Sequence, residues 1–147
     1  MTTQDKTKQL NVSMELVNEG VHFNATTDGT HPPVSIDYFP PLGNNLGYCS
    51  LELFLMSFGT CVGSTLLPFL RRMGRTIQQM HIDASGTRHE QHPTSFSVIT
   101  LDIILHSPDV TEEDIDKVIG MAEEKICPVW AMVKGNVKVE INRKIIS

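Results

Sequence analysis

The stretch 52-ELFLMSFGTCVGSTLLPFLRR-72 has charged side chains only at its ends and a cysteine, Cys61, near its centre. Its uncharged run of 18 residues only just reaches the length of a membrane-spanning helix, about 17 to 25 residues. Gly59, Gly63 and Pro68 lie within the run and make its hydrophobicity modest. The segments on both sides alternate like half-buried strands, which need an apolar surface to cover. We therefore interpret the stretch as the core helix of a globular domain.

Length and charge limit the classes of protein that this chain represents. It has 147 residues and a net charge of −5, so we expect a single domain over residues 1–147. An acidic balance without clustered Lys and Arg argues against nucleic-acid and membrane partners. The first nine residues are polar and lack the apolar segment of a secretory signal. We therefore expect a cytoplasmic protein.

The cysteines are three in number, at positions 49, 61 and 127. An odd count at wide spacing is not typical of a disulfide framework, so we expect reduced thiols. The chain has no CxxC or HxxxH pair, and the spacing of its cysteines does not fit a structural zinc site. We expect neither a metal nor another cofactor.

Alternating and helical patterns predict one α+β domain. Ser50 is the expected N-cap of the core helix, which should end before Gly74. A shift in the alternation of 96-FSVITLDIIL-105 predicts a bulge near Ile99–Thr100, or burial on both faces. The remaining predicted elements are a hairpin (10–17 and 20–27), strands at 34–38, 76–90, 94–107 and 136–146, a helix after the N-cap Thr111, and a short helix that begins at Cys127 and ends at Gly135.

Cys61 has a structural and a chemical interpretation. It belongs to a stripe of small side chains, Ser57, Thr60, Cys61 and Ser64, which would let another helix approach closely. Buried cysteines are common and usually inert. The residue by itself therefore favours a structural role.

Cys127 precedes Pro128 at a predicted helix start. Unpaired N–H groups and the helix dipole favour a thiolate there, so we expect its pKa to be lowered. The alternative is that it serves only as the N-cap. Trp130, three residues later, is a candidate wall of a pocket.

Together, two such thiols allow a cycle in which one becomes a sulfenic acid and the other condenses with it to a disulfide. Their spacing does not show that they meet.

Two motifs, 50-SLELFLMSFGTC-61 and 123-EEKICPVWAMVKGNVKVEI-141, resemble those of the OsmC/Ohr family, named for osmotic induction and organic hydroperoxide resistance. The earlier 20-GVHFNATTDG-29 also fits, and the likeness to a divergent OsmC-like member covers nearly the whole chain. The resemblance implies curved antiparallel sheets wrapped around two central long helices in an intertwined homodimer. It further implies reduction of organic hydroperoxides in an apolar pocket at the dimer interface. Cys61 then corresponds to the peroxidatic cysteine and Cys127 to the resolving one, with a dithiol as reductant.

The chain departs from the family pattern at two places. The acidic residue expected ten positions before the first cysteine is Leu51 here, and Glu52 follows one position later. Nine residues at 3.6 per turn place Glu52 about 180° from Cys61 on an ideal helix, so we expect it to complement the helix dipole. The family's N-terminal arginine has no counterpart before Arg71. Folding or a partner chain would have to supply Arg88 or Arg143.

Auxiliary positions around the two cysteines are Glu52, Phe58 and Trp130. Because the arginine and the glutamate are not matched, two functions stay open. The first is a hydroperoxide reductase that forms a Cys61–Cys127 disulfide. The second is a non-enzymatic dimer that binds a small hydrophobic or thiol-bearing ligand and forms no such disulfide.

Overall fold

The computed structural model describes residues 9–29 and 31–147 of the chain, so most of the polar start from which we predicted the location lies outside the described residues. It contains two compact units, residues 1–53 and 54–147. The α+β class is confirmed, whereas the single domain stays a prediction. In the described part the elements follow in the order β1 (Val12–Leu16), β2 (Phe23–Thr27), β3 (Val34–Ile36), α1 (Ser50–Arg72), β4 (Gln79–Arg88), β5 (Phe96–His106), α2 (Glu112–Met121), a π-helical turn (Ala122–Ile126), α3 (Pro128–Val133) and β6 (Lys138–Ile146).

The first unit contains an antiparallel sheet in the order β1-β2-β3. The predicted hairpin is confirmed: Val12 pairs with Thr27 and Leu16 with Phe23. Every residue of β1 is exposed. A sheet of two or three strands is stable only when its apolar face packs against another surface. The exposed β1 is therefore a candidate contact surface for another chain.

A buried carboxylate organises the loop that leads from β3 to α1. Asp37 accepts hydrogen bonds from the backbone N–H groups of Tyr38, Asn44 and Leu46, at 2.7, 3.1 and 3.0 Å. These bonds hold the pKa of Asp37 below its usual value, against the opposing effect of burial. Gly47 must remain a glycine because a Cβ there would overlap the carbonyl of Ser35. The loop that its Pro, Gly and Asn content predicts therefore has a defined conformation where it connects β3 to α1.

The start of α1 corrects one prediction. Cys49, rather than Ser50, is the N-cap: its Sγ accepts the N–H of Glu52 at 3.4 Å, and the Glu52 carboxylate accepts the N–H of Cys49 at 2.9 Å. This is the reciprocal arrangement of a capping box with a thiol in place of a hydroxyl. We missed it because cysteine is not among the usual cap residues.

The second unit contains a three-stranded sheet in the order β4-β5-β6. β4 and β5 are antiparallel, as expected, but β6 runs parallel to β5, with Leu101 opposite Ile141. The sheet is therefore mixed rather than antiparallel throughout. A parallel neighbour needs a long crossover connection, and the helical segment between β5 and β6 provides it.

The bulge in β5 lies two residues before its predicted position. Thr87 pairs with Val98 and Arg88 with Phe96, so Ser97 is the extra residue. Phe96 and Ile99 are consequently both buried, although regular alternation would place residues three positions apart on opposite faces of the strand. The shifted alternation had this local cause.

The core of the second unit forms between α1 and its sheet. Phe58, Val62, Leu66 and Leu70 repeat every four residues along α1 and are fully buried. A Cβ on Gly59 or Gly63 would lie against Ile82 of β4, so the two glycines let the helix approach the strand closely. Pro68 lies inside α1 without ending it.

By length and composition alone, α1 would also suit a membrane. An 18-residue window of it has a mean hydropathy of 1.7, and 39% of that window is buried. A core helix in a globular protein meets the same criteria. The buried four-residue repeat is the packing that the core-helix interpretation requires.

Two Gly→Ala substitutions should have opposite effects on stability. At Gly86 a Cβ would overlap the Phe96 ring, so Gly86→Ala should lower the free energy of unfolding by about 1–3 kcal/mol. At Gly120, within α2, nothing lies within 4 Å, and Gly120→Ala should raise it by up to about 1 kcal/mol. Denaturant unfolding of both variants tests this contrast. Equal effects at the two positions would contradict the packing described for Gly86.

Candidate functional site

The segment around Cys127 holds its side chain in a defined position. α2 passes into the π turn, in which the N–H of Cys127 donates to the carbonyl of Ala122 at 3.0 Å. Cys127 then leaves the helical conformation and becomes the N-cap of α3, with Pro128 at the first helical position. The N–H of Trp130 donates to Cys127 Sγ at 3.4 Å. The predicted cap is thus confirmed, whereas the π turn was not anticipated, since such single turns have no reliable sequence signal.

Cys61 lies in the middle of α1 and is partly exposed, whereas Cys127 is buried. The thiol of Cys127 donates to Cys61 Sγ at a sulfur–sulfur distance of 3.0 Å. The structure therefore brings together the two thiols that are 66 positions apart in the sequence. Neither thiol is in a disulfide.

An aromatic pair lies beside the thiols. The rings of Phe58 and Trp130 meet edge to face, with centroids 5.6 Å apart at 65°, and both residues are buried. Phe58 precedes Cys61 by three residues, and Trp130 follows Cys127 by three. Such a contact contributes about 0.5–1.5 kcal/mol beyond burial. It holds α1 and α3 together next to the sulfurs, while a role in lining a pocket stays a prediction.

The pKa of Cys127 corrects another expectation. Burial raises it from 9.0 to about 11, and the hydrogen bond to Cys61 acts in the same direction. The N–H groups of Trp130 and Val129 lower it, but by less. The predicted lowering was wrong because α3 has only six residues and because burial penalises the charged form more strongly than the helix start favours it.

The charged residues that were candidates to assist the two thiols interact with other groups. Arg143 forms ion pairs with Glu112 and, at 2.6 Å, with Asp116, both on α2. Arg88 donates from Nε to the carbonyl of Thr94 at 2.6 Å. Glu52 belongs to the cap of α1, as described above. Within residues 9–29 and 31–147, no cluster of three or more His, Cys, Asp or Glu is placed to hold a metal ion.

Comparison with known proteins gives consistent matches. The model of a family described as OsmC-like protein matches residues 43–142, which include both thiols of the pair. Protein YhfA of Escherichia coli strain K12 is 21% identical over 97 residues, which make up 66% of this chain and 72% of YhfA.

Solved structures agree with the fold at low sequence identity. An OsmC-like protein from Mycoplasma pneumoniae has a TM-score of 0.80 at 20% identity, covering 95% of this chain and 99% of that one. An organic hydroperoxide resistance protein from Elizabethkingia anophelis has a TM-score of 0.70 at 18% identity, covering 97% and 99%. At these identities the likeness shows the fold.

The raised pKa of Cys127 predicts a pH dependence of stability. Between pH 9.0 and about 11, the folded chain keeps a proton that the unfolded chain loses. The free energy of unfolding should therefore decrease as the pH rises through this window. Denaturant unfolding under reducing conditions measures the decrease, which should be smaller in Cys127→Ser, since serine does not titrate there. An equal decrease in both proteins would contradict the raised pKa.

Proposed function

We propose that this chain, which belongs to the OsmC-like protein family, is a thiol-dependent redox protein that reduces organic hydroperoxides with Cys61 and Cys127. The observation that carries the proposal is the sulfur–sulfur distance of 3.0 Å between them. A disulfide can form at this place with little backbone movement. The hydroperoxide resistance named for the Elizabethkingia anophelis neighbour supports the same chemistry.

Burial assigns a role to each thiol. Cys61 is partly exposed whereas Cys127 is buried, so Cys61 is the more accessible of the two residues. The raised pKa of Cys127 keeps that thiol protonated at neutral pH. A protonated thiol is a poor nucleophile toward peroxide. Cys61 is therefore the attacking residue and Cys127 the resolving one.

The cycle balances in three steps. The Cys61 thiolate attacks the terminal oxygen of ROOH; an S–O bond forms, the O–O bond breaks, and the alkoxide takes up a proton and leaves as ROH. The Cys127 sulfur then attacks the resulting sulfenic acid; an S–S bond forms, and the hydroxyl leaves as water with the thiol proton. A dithiol donor reduces the disulfide by exchange and is itself oxidised.

The surroundings of Cys61 fit an uncharged substrate. The nearest charged residues along α1 are Glu52 and Arg71, nine and ten positions away and thus about 14–15 Å along the helix axis. Phe58 and Val62 next to it are buried and apolar. An alkyl or lipid hydroperoxide suits such a site better than strongly hydrated H₂O₂.

Cysteine substitutions test the cycle. With cumene hydroperoxide and a dithiol reductant, the wild type should turn over and, without reductant, form a Cys61–Cys127 disulfide seen by peptide mass spectrometry. Cys61→Ser should reduce turnover at least a hundredfold, because the nucleophile is lost. Without reductant, Cys127→Ser should stop after one sulfenic acid per chain, which a dimedone probe traps.

Cys49→Ser is the matched control. The side chain at position 49 caps α1, which serine also does, so this variant should keep wild-type turnover. Turnover that survives both Cys61→Ser and Cys127→Ser would rule out the thiol mechanism.

The alternative is a non-enzymatic dimer that binds a small hydrophobic or thiol-bearing ligand. The raised pKa of Cys127 and the engagement of Arg143 by carboxylates favour it, because both remove means of activating a thiol. It predicts no Cys61–Cys127 disulfide under peroxide. The mass-spectrometric arm of the same experiment therefore separates the two functions.

We propose further that the chain works as a homodimer. The apolar side chains of Val12, Met14 and Leu16 alternate along β1, and Leu10 precedes the strand. All four are at least half exposed, which is unusual for a monomer. A second copy that covers this apolar strand accounts for its exposure.

Charges introduced on the two faces of β1 test the dimer. Alternation along a strand places Met14 on the apolar face and Ser13 on the other. Met14→Lys should therefore weaken dimerisation at least tenfold in sedimentation equilibrium, whereas Ser13→Lys should not. A monomeric wild type, or equal effects of the two substitutions, would contradict the proposed interface.

A further inference from the structure

We propose that the thiol of Cys127 is the hydrogen-bond donor that stabilises the thiolate of Cys61. The inference deepens the proposed function and rests on it, since it concerns the same nucleophile. Cys127 then acts twice, first as a donor to the thiolate and later as the resolving thiol. In the first step Cys127 does not react with the peroxide itself; it is a positioning residue that acts on the thiolate of Cys61.

The contacts of Cys127 indicate which of the two thiols donates the hydrogen bond between them. Its Sγ accepts the backbone N–H of Trp130 at 3.4 Å, so one of its lone pairs faces the start of α3. The S–H group is then available to donate to Cys61 Sγ, 3.0 Å distant. Cys127 is therefore placed to donate and Cys61 to accept.

Burial decides which of the two thiols ionises. Only 2% of Cys127 is exposed, so a charge there would lose nearly all of its hydration. Cys61 is partly exposed, and water can solvate part of its charge. A donor within hydrogen-bond distance favours the charged form of its acceptor, and hydrogen bonds to ionised groups are among the stronger ones. The pair thus places the negative charge on Cys61 and the proton on Cys127.

Other titratable groups on the described elements around the pair do not take over this role. β4 presents apolar side chains to the glycines of α1 on either side of Cys61, namely Met80, Ile82 and Ala84. On the π turn, Glu123 and Glu124 form ion pairs with Lys134 at 3.7 and 3.0 Å. Lys125 is exposed. Along α1 the nearest charges are those of Glu52 and Arg71, several turns away.

The pH profile of Cys61 alkylation tests the donor. The reduced protein is reacted with iodoacetamide across a pH series, and peptide mass spectrometry follows Cys61 alone. Cys127→Ser keeps a hydroxyl donor, whereas Cys127→Ala and Cys127→Gly keep none; all three lack the resolving thiol. In the Ala and Gly variants the midpoint should rise by about one pH unit relative to the Ser variant, which makes alkylation about tenfold slower at a fixed pH below the midpoint. Coinciding profiles of the Ser, Ala and Gly variants would overturn the inference.

The choice of variants separates loss of the donor from loss of the helix cap. Alanine is a poor N-cap, whereas glycine is nearly as good as serine. A shift in Cys127→Ala alone, with Cys127→Gly equal to Cys127→Ser, would therefore assign the effect to the cap and overturn the donor role. Near-UV circular dichroism of each variant checks that α3 and Trp130 keep their packing.

A measurement on Cys49→Ser, which keeps both thiols of the pair, does not depend on changing Cys127. The infrared S–H stretching band of Cys127 should move to lower frequency as Cys61 ionises, because the hydrogen bond to a thiolate is stronger. A band that stays in place throughout the Cys61 titration would overturn the inference.

Peroxide turnover measured in parallel separates the two proposals. If the alkylation profiles of the Cys127 variants shift as expected but the wild type does not turn over peroxide, the donor role is supported and the reductase function is rejected. If the wild type turns over peroxide but the alkylation profiles coincide, the donor role is rejected and the reductase function stands.

Discussion

The contact between Cys127 and Cys61, 3.0 Å from sulfur to sulfur, is the constraint around which the second unit is arranged. It joins the middle of α1 to the N-cap of α3, and the position of each cysteine is set by the segment to which it belongs. The π turn and the cap of α3 direct Cys127. The packing of α1 on β4, close at Gly59 and Gly63, sets the height and rotation of Cys61.

A cysteine at a helix start is often taken as an activated thiol, and this chain shows why burial must be weighed as well. α3 is short, and two N–H groups near the Cys127 sulfur are outweighed by the loss of water around it. In the proposed cycle the same burial suits the resolving thiol, which must stay unreactive until a sulfenic acid forms beside it. That cycle divides the chemistry between the partly exposed Cys61 on α1 and the buried Cys127 at the N-cap of α3.

Capping is a second theme of the structure. Cys49 and Cys127 both occupy N-cap positions, and each sulfur accepts the N–H of the third residue of its helix at 3.4 Å. Only Cys127 has another thiol beside it in the described structure. Cys49 therefore has a sufficient structural role, which serine could also fill. In the first unit, the carboxylate of Asp37 performs a similar task for a loop that has no regular hydrogen-bond ladder.

The sequence by itself determined the class of fold and most of its elements, and it singled out the two cysteines that the structure places in contact, because strand alternation, helix caps and the two family motifs are local signals. It also indicated the bulge in β5, although two residues away. Tertiary structure alone decided that β6 is parallel to β5, that Arg143 is held by carboxylates, and that the pKa of Cys127 is raised. Each of these depends on residues far apart in the chain and on how much water their contact excludes. A local pattern of side chains contains neither the contacts between distant residues nor the extent to which they exclude water.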